Sequence, residues 1–157
     1  MEIKTLNDLL EIAIQDEISS QKFYRDSMEK TKDGATKDFL KSLIEEEKGH
    51  ERILKSIKEM EIYDGTIQVD ETIIEKTRKS HSVIIPDLRP DTKIDEILEI
   101  ALRRETKAFN LFYQMVEITK ESELKALFNK MAEEEMVHHK KIEIKYRLKT
   151  GQMGYEG

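Results

Sequence analysis

The sequence predicts an all-α fold, an antiparallel four-helix bundle made of two helical hairpins joined by one long crossover, and three observations predict it. Apolar residues recur at three- and four-residue spacing through four long stretches, the signature of one buried helix face. Only 2 prolines and 6 glycines interrupt the 157 residues, too few for a strand-and-turn architecture. The third is an internal repeat: Leu9 to Glu17 overlies Ile97 to Glu105 at a shift of 88, with Leu10, Glu11, Ile12, Ala13 and Glu17 identical in both halves.

The first helix is expected over about residues 5–31. Leu6, Leu9, Leu10, Ala13, Ile14, Tyr24 and Met28 share its inner face, and Glu17 falls on that face too. Thr5 with Asp8 three residues on is a start signal, and Lys32-Asp33-Gly34 a stop. The second helix, about 35–60, places Phe39, Leu43, Glu47, His50, Leu54 and Ile57 in one stripe. The third, about 92–119 and opened by Thr92 after Pro90, does the same with Leu98, Ala101, Glu105, Phe109, Phe112 and Met115. The fourth, about 122–149, aligns Leu124, Phe128, Met131, Glu135, His138 and Ile142. In every helix an acidic residue interrupts an apolar stripe.

Short links make each helix pair an antiparallel hairpin, and residues 61–91 form the crossover. Within it Tyr63-Asp64-Gly65 reads as a turn, Asp70 to Ser80 as a short helix, and Val83-Ile84-Ile85-Pro86 as an extended strip over the bundle. Residues 1–150 are thus expected to form a single domain, with 151–157 a flexible tail rich in glycine.

Composition narrows the chemistry. Lys plus Arg number 27 and Asp plus Glu 33, a formal charge of −6 with no basic patch, which argues against nucleic acid as a partner. The absence of cysteine excludes disulfides, thiolate metal sites, iron–sulfur clusters and a cysteine nucleophile. The start of the chain lacks the apolar core of a secretory signal, and apolar runs reach only about three residues, so a cytoplasmic protein with no membrane partner is expected.

The repeat also carries the chemistry. Each half holds a Glu, a second Glu 30 residues later and a His three further on: Glu17, Glu47 and His50, then Glu105, Glu135 and His138. Residues three apart on a helix stand about one turn apart, so each Glu-x-x-His can clamp one ion. One Glu from each of two helices plus a Glu-x-x-His from each of the other two is the inventory of a four-helix two-metal site. Carboxylates with imidazoles suit iron or manganese, and four carboxylates offset the charge of two divalent cations.

These motifs, spread over about residues 5–149, resemble the erythrin core of rubrerythrins and other ferritin-like di-iron carboxylate proteins. By that resemblance Glu47 and Glu135 correspond to terminal or bridging ligands, His50 and His138 to imidazole ligands, and Glu17 and Glu105 to carboxylates from the first and third helices. Two irons are the implied cofactor, with manganese or zinc as alternatives. Tyr24 and Tyr113 resemble tyrosines that flank the rubrerythrin site, and Tyr24 is the candidate catalytic residue, able to donate a hydrogen bond to a ligand carboxylate or quench a radical. The chain departs from the family at Ala108, where rubrerythrins usually carry a further Glu, and it lacks the cysteines of a rubredoxin domain.

The resemblance implies reduction of hydrogen peroxide or dioxygen, with electrons from an external, rubredoxin-like donor, by a homodimer or higher homo-oligomer. Iron binding or ferroxidase activity for storage or trafficking is the alternative. The bland alternative to a metal site is a buried Glu/His salt network. His81, in the crossover, and His139, off the stripe, are read as surface residues, and Glu45, Glu46, Glu133 and Glu134 as a solvated face or as supports to the ligands.

Overall fold

A computed structural model describes residues 2–151. Five helices follow one another: α1 (Leu6–Met28), α2 (Gly34–Ile57), α3 (Glu71–His81), α4 (Ile94–Ile118) and α5 (Ser122–Thr150). α1 packs along α2 and α4 along α5; the hairpins join mainly through α1 and α4, and α3 lies on α4. Both pairs run antiparallel. Glu11 early in α1 meets Lys58 just past α2, and Tyr146 late in α5 donates to Glu99 early in α4 at 2.8 Å.

Local chemistry sets the helix ends. Thr5 and Asp8 form a reciprocal capping box at the start of α1, the Thr5 N–H donating to Asp8 Oδ2 at 3.0 Å. The next free donors of that turn, the N–H groups of Leu6 and Asn7, reach the carbonyls of Ile67 and Gly65 at 2.9 and 3.0 Å. The crossover is thereby tied to the first helix. A Cβ at Gly65 would come within 2.7 Å of the Tyr63 hydroxyl, so a larger residue there would displace a side chain that donates to Asn7 Oδ1.

The apolar interior is split in two. One cluster holds Leu6, Leu9, Leu10 and Ile14 of α1 with Leu54, Ile57, Phe112, Met115, Phe128 and Met131. The other holds Phe23 and Tyr24 with Leu40, Leu43, Ile97, Leu98, Ala101 and Ile142. Between them, on each of the four long helices, come the acidic interruptions of the stripes. Six of their side chains are no more than 2% exposed, so the core has an ionisable layer through its middle.

Several expectations shift. α1 ends at Met28 instead of 31, and α2 starts earlier, because Asp33 caps it: Thr36 N–H donates to Asp33 Oδ2 at 3.2 Å. The stop signal for the first helix is thus the start signal for the second. α4 opens at Ile94, with Thr92 buried and accepting the Arg89 N–H at 2.7 Å before the helix begins. In the strip at Val83 to Pro86, only Ile85 packs on the core; Ile84 is 85% exposed. Gly151 caps α5 with φ of 76°, and the expected tail beyond it lies outside the described residues. Among the described residues no helix is long and apolar enough to cross a membrane.

Candidate metal centre

All six residues singled out by the repeat converge in the buried layer. They form two interlocking groups whose ligand atoms lie within 4.8 Å of one another: Glu17, Glu47, His50 and Glu135 in one, Glu47, Glu105, Glu135 and His138 in the other. Glu47 and Glu135 belong to both. The arrangement offers two adjacent cation positions with these two carboxylates between them, Glu17 and His50 completing one position and Glu105 and His138 the other. The pseudo-twofold relation of the sequence halves reappears as the symmetry of the site.

Imidazole orientation follows the same symmetry. His50 turns Nδ1 inward, 2.7 Å from Glu135 Oε1 and 3.6 Å from Glu17 Oε2. His138 turns Nδ1 to Glu47 Oε1 at 3.2 Å and Glu105 Oε2 at 3.6 Å. The outer nitrogens face carboxylates of the opposite hairpin, His50 Nε2 toward Glu134 at 3.5 Å and His138 Nε2 toward Glu46. A ligating imidazole needs such a partner to fix its tautomer and raise its basicity. The two rings stack with centroids 6.0 Å apart.

The donor set fits a pair of cations. Glu17 Oε2, His50 Nδ1, Glu105 Oε2 and both oxygens of Glu135 are buried without a hydrogen-bond partner. The short His50–Glu135 approach therefore lacks the angle of a hydrogen bond. Orphaned buried polar atoms are rare in folded proteins, and here five of them converge, with lone pairs that hard or borderline cations would satisfy.

Tyr24 breaks the symmetry. Its fully buried hydroxyl donates to Glu105 Oε1 at 2.6 Å. The position 88 residues on is Phe112, which offers no hydroxyl and packs edge-on against His50 with centroids 6.1 Å apart. The Glu105 side of the centre thus has a hydrogen-bond donor that the other half does not match.

Protons compensate the crowded carboxylates when no cation is bound. Burial pushes the Glu47 carboxyl up to about 7, with the charge of Glu105 adding to the rise and His138 and His50 opposing it. Burial and the charges of Glu105 and Glu47 drive Glu135 well above the usual carboxylate range. Burial would raise Glu105 as well, but the adjoining Glu135 and His138 and the Tyr24 hydroxyl that donates to it outweigh burial and hold that carboxyl low. Of the two neighbouring carboxyls, Glu135 is thus the one that favours its protonated form. His138 rises to about 10: burial opposes its charge, and bonding to Glu105 and Glu47 overcomes burial. Tyr24 keeps its proton, since burial and the neighbouring Glu105 raise it.

The remaining candidates divide. Ala108 sits on α4 one turn beyond Glu105, half-buried, and contributes no ligand. Tyr113 does not flank the centre: it is 49% exposed and lies against Phe109, because its place on α4 turns it outward. His81 is not a free surface residue; its Nε2 lies 2.9 Å from Asp16 Oδ2, fastening the end of α3 to α1. Glu46 and Glu134 stand over the imidazoles, whereas Glu45 and Glu133 are exposed. The signal for the supporting pair was in the repeat, which aligns 46 with 134 as it aligns 47 with 135.

Known proteins share this architecture. A solved structure from Thermotoga maritima, described as a ferritin-like diiron-carboxylate protein, superposes with a TM-score of 0.76 at 22% identity, covering 94% of this chain and 98% of its own. A hypothetical protein from Pyrococcus furiosus gives 0.71 at 26% identity, covering 96% and 93%. No curated protein gives a significant match. The rubrerythrin family model matches residues 2–86 and 96–152. With that match over most of its length, the ferritin-like bundle and the buried Glu/His layer, this chain belongs to the rubrerythrin family.

Proposed function

We propose that the protein is a non-haem di-iron oxidoreductase that reduces hydrogen peroxide or dioxygen with electrons from an external carrier. The observation that carries this reading is the pair of interlocking four-residue groups sharing Glu47 and Glu135. Two cations held so closely are suited to two-electron chemistry, since each ferrous ion gives one electron in becoming ferric. Glu17 and His50 would hold one iron, Glu105 and His138 the other, with Glu47 and Glu135 spanning both. The diiron-carboxylate description of the Thermotoga maritima relative supports iron over manganese or zinc.

When bound, the irons supply two one-electron couples side by side, matching peroxide reduction to two waters with two electrons and two protons. The chain's own residues do the rest. Protons favoured on Glu135 and His138 offset part of the negative charge in the metal-free centre, and they would leave as cations bind. Tyr24 steadies Glu105 through its hydroxyl. Glu46 and Glu134 hold the imidazoles in register from outside. These 157 residues hold no cysteine for a rubredoxin-type centre, and a rubredoxin-like protein is the class of donor this reading assigns.

The test is anaerobic loading with Fe(II), metal analysis, and peroxide turnover with reduced rubredoxin as donor. Two irons per chain and consumption of one peroxide per two electrons support the proposal. Two irons with no turnover, together with progressive deposition of ferric iron, would replace it with a storage role.

A further inference from the structure

The centre is closed on most sides, but a cleft of about 210 Å³ runs between α1, α4 and the crossover, lined by Asp16, Glu17, Ile85, Arg104, Lys107 and Ala108. Glu17 is a wall of this cleft and a member of the buried layer, so the cleft meets the centre at this side chain. Ala108 lies one turn past Glu105 and presents only a methyl group. A larger side chain there would occupy the passage. We propose that this cleft is the route by which small inorganic anions reach the centre; the inference rests on the two-metal reading above.

Charge supports the assignment. Asp16, the acidic residue at the cleft's outer wall, is engaged by His81 at 2.9 Å. Arg104 lies over the Phe23 ring at 4.7 Å, donates to Ser19 Oγ at 3.2 Å, and keeps a buried Nε with no hydrogen-bond partner. Lys107 makes no salt bridge among the described residues. Asp26 and Asp87 belong to the neighbouring hollow on the far side of Arg104. Asp16 is paired with His81 and Glu17 belongs to the metal layer, so once four carboxylates are offset by two divalent cations Arg104 and Lys107 are the uncompensated charges at the mouth, and a locally positive mouth concentrates anions. The opposite approach meets Glu46 and Glu134, each about 40% exposed, which repel an anion.

Azide is the probe, its association with the aerobically iron-loaded full chain followed by stopped-flow absorbance of the ferric–azide band after iron content is measured. Wild-type association slows as salt rises. Lys107→Glu is expected to lower the rate about 10-fold at low salt and to remove or invert the salt dependence. Ala108→Leu, which changes bulk and not charge, is expected to slow association at every ionic strength. Wild-type rates in both variants at full iron content would overturn the anion route while leaving the two-metal reading intact. A wild-type chain that takes up no iron would overturn both.

Discussion

At the scale of single residues, a buried carboxyl whose ionised form opposes folding separates a metal centre from a structural salt network. Glu47 lies in both ligand groups and is 1% exposed, yet its carboxyl is driven up to about 7, so its ionised form opposes folding of the metal-free chain. Glu47→Gln should abolish binding at both positions. It should also stabilise the metal-free protein at pH 8.5 by roughly 1–3 kcal/mol, because the variant no longer buries that charge. A salt network would lose stability on the same substitution, and chemical denaturation reads the sign. Glu46→Ala and Glu134→Ala act through the imidazoles and should each weaken metal affinity about 10–100-fold, read by chelator competition. Tyr24→Phe should affect the Glu105 position more than the Glu17 position, whose counterpart is already Phe112. Stepwise metal titration would show one affinity falling while the other holds.

At the scale of elements, periodicity made the four long helices legible, and the 88-residue shift made all six candidate ligands legible. Their ends were less so. Asp33 reads equally as a stop for α1 or a cap for α2, and only the bond from Thr36 decides between them. Glu46 and Glu134 hid inside runs of three glutamates, where adjacency in sequence says nothing of which residue crosses to the other hairpin. Tyr113 was misplaced because one turn of helix reverses inside and outside, whereas His81, read as a surface residue, stays outside the centre but is half-buried where α3 docks on α1. The cleft could not be read at all, since Ile85 comes from the crossover and Arg104 from α4. Thr5 was read correctly as a helix start, and its bonds carry a consequence: Thr5→Ala should cost about 1 kcal/mol and lower Tm by roughly 2–4 °C, measured by thermal unfolding of the metal-free protein.

For the whole molecule, the ionisable layer couples folding, protons and metal. Between 4.5 and 7 the folded metal-free chain holds a proton on Glu47 that the unfolded chain has released. Between 6.5 and 10 it holds one on His138 in the same way. The folded state thus binds more protons than the unfolded state over this range, and stability of the metal-free protein should fall as pH rises from 5 to 9. Metal must displace those protons, so affinity should rise over the same interval, and loading should release protons into weak buffer. The opposite slopes belong to one cause, a bundle whose two apolar clusters are separated by charge that only protons or cations neutralise.

The most direct measurement of that cause is anomalous diffraction at the iron edge from crystals of the iron-loaded chain. Two peaks about 3.5–4 Å apart are expected in the buried layer, one beside Glu17 and His50, the other beside Glu105 and His138, with Glu47 and Glu135 between them. Absence of anomalous density from that layer in iron-replete crystals, with Glu47 and Glu135 bonded only to protein groups, would contradict the account.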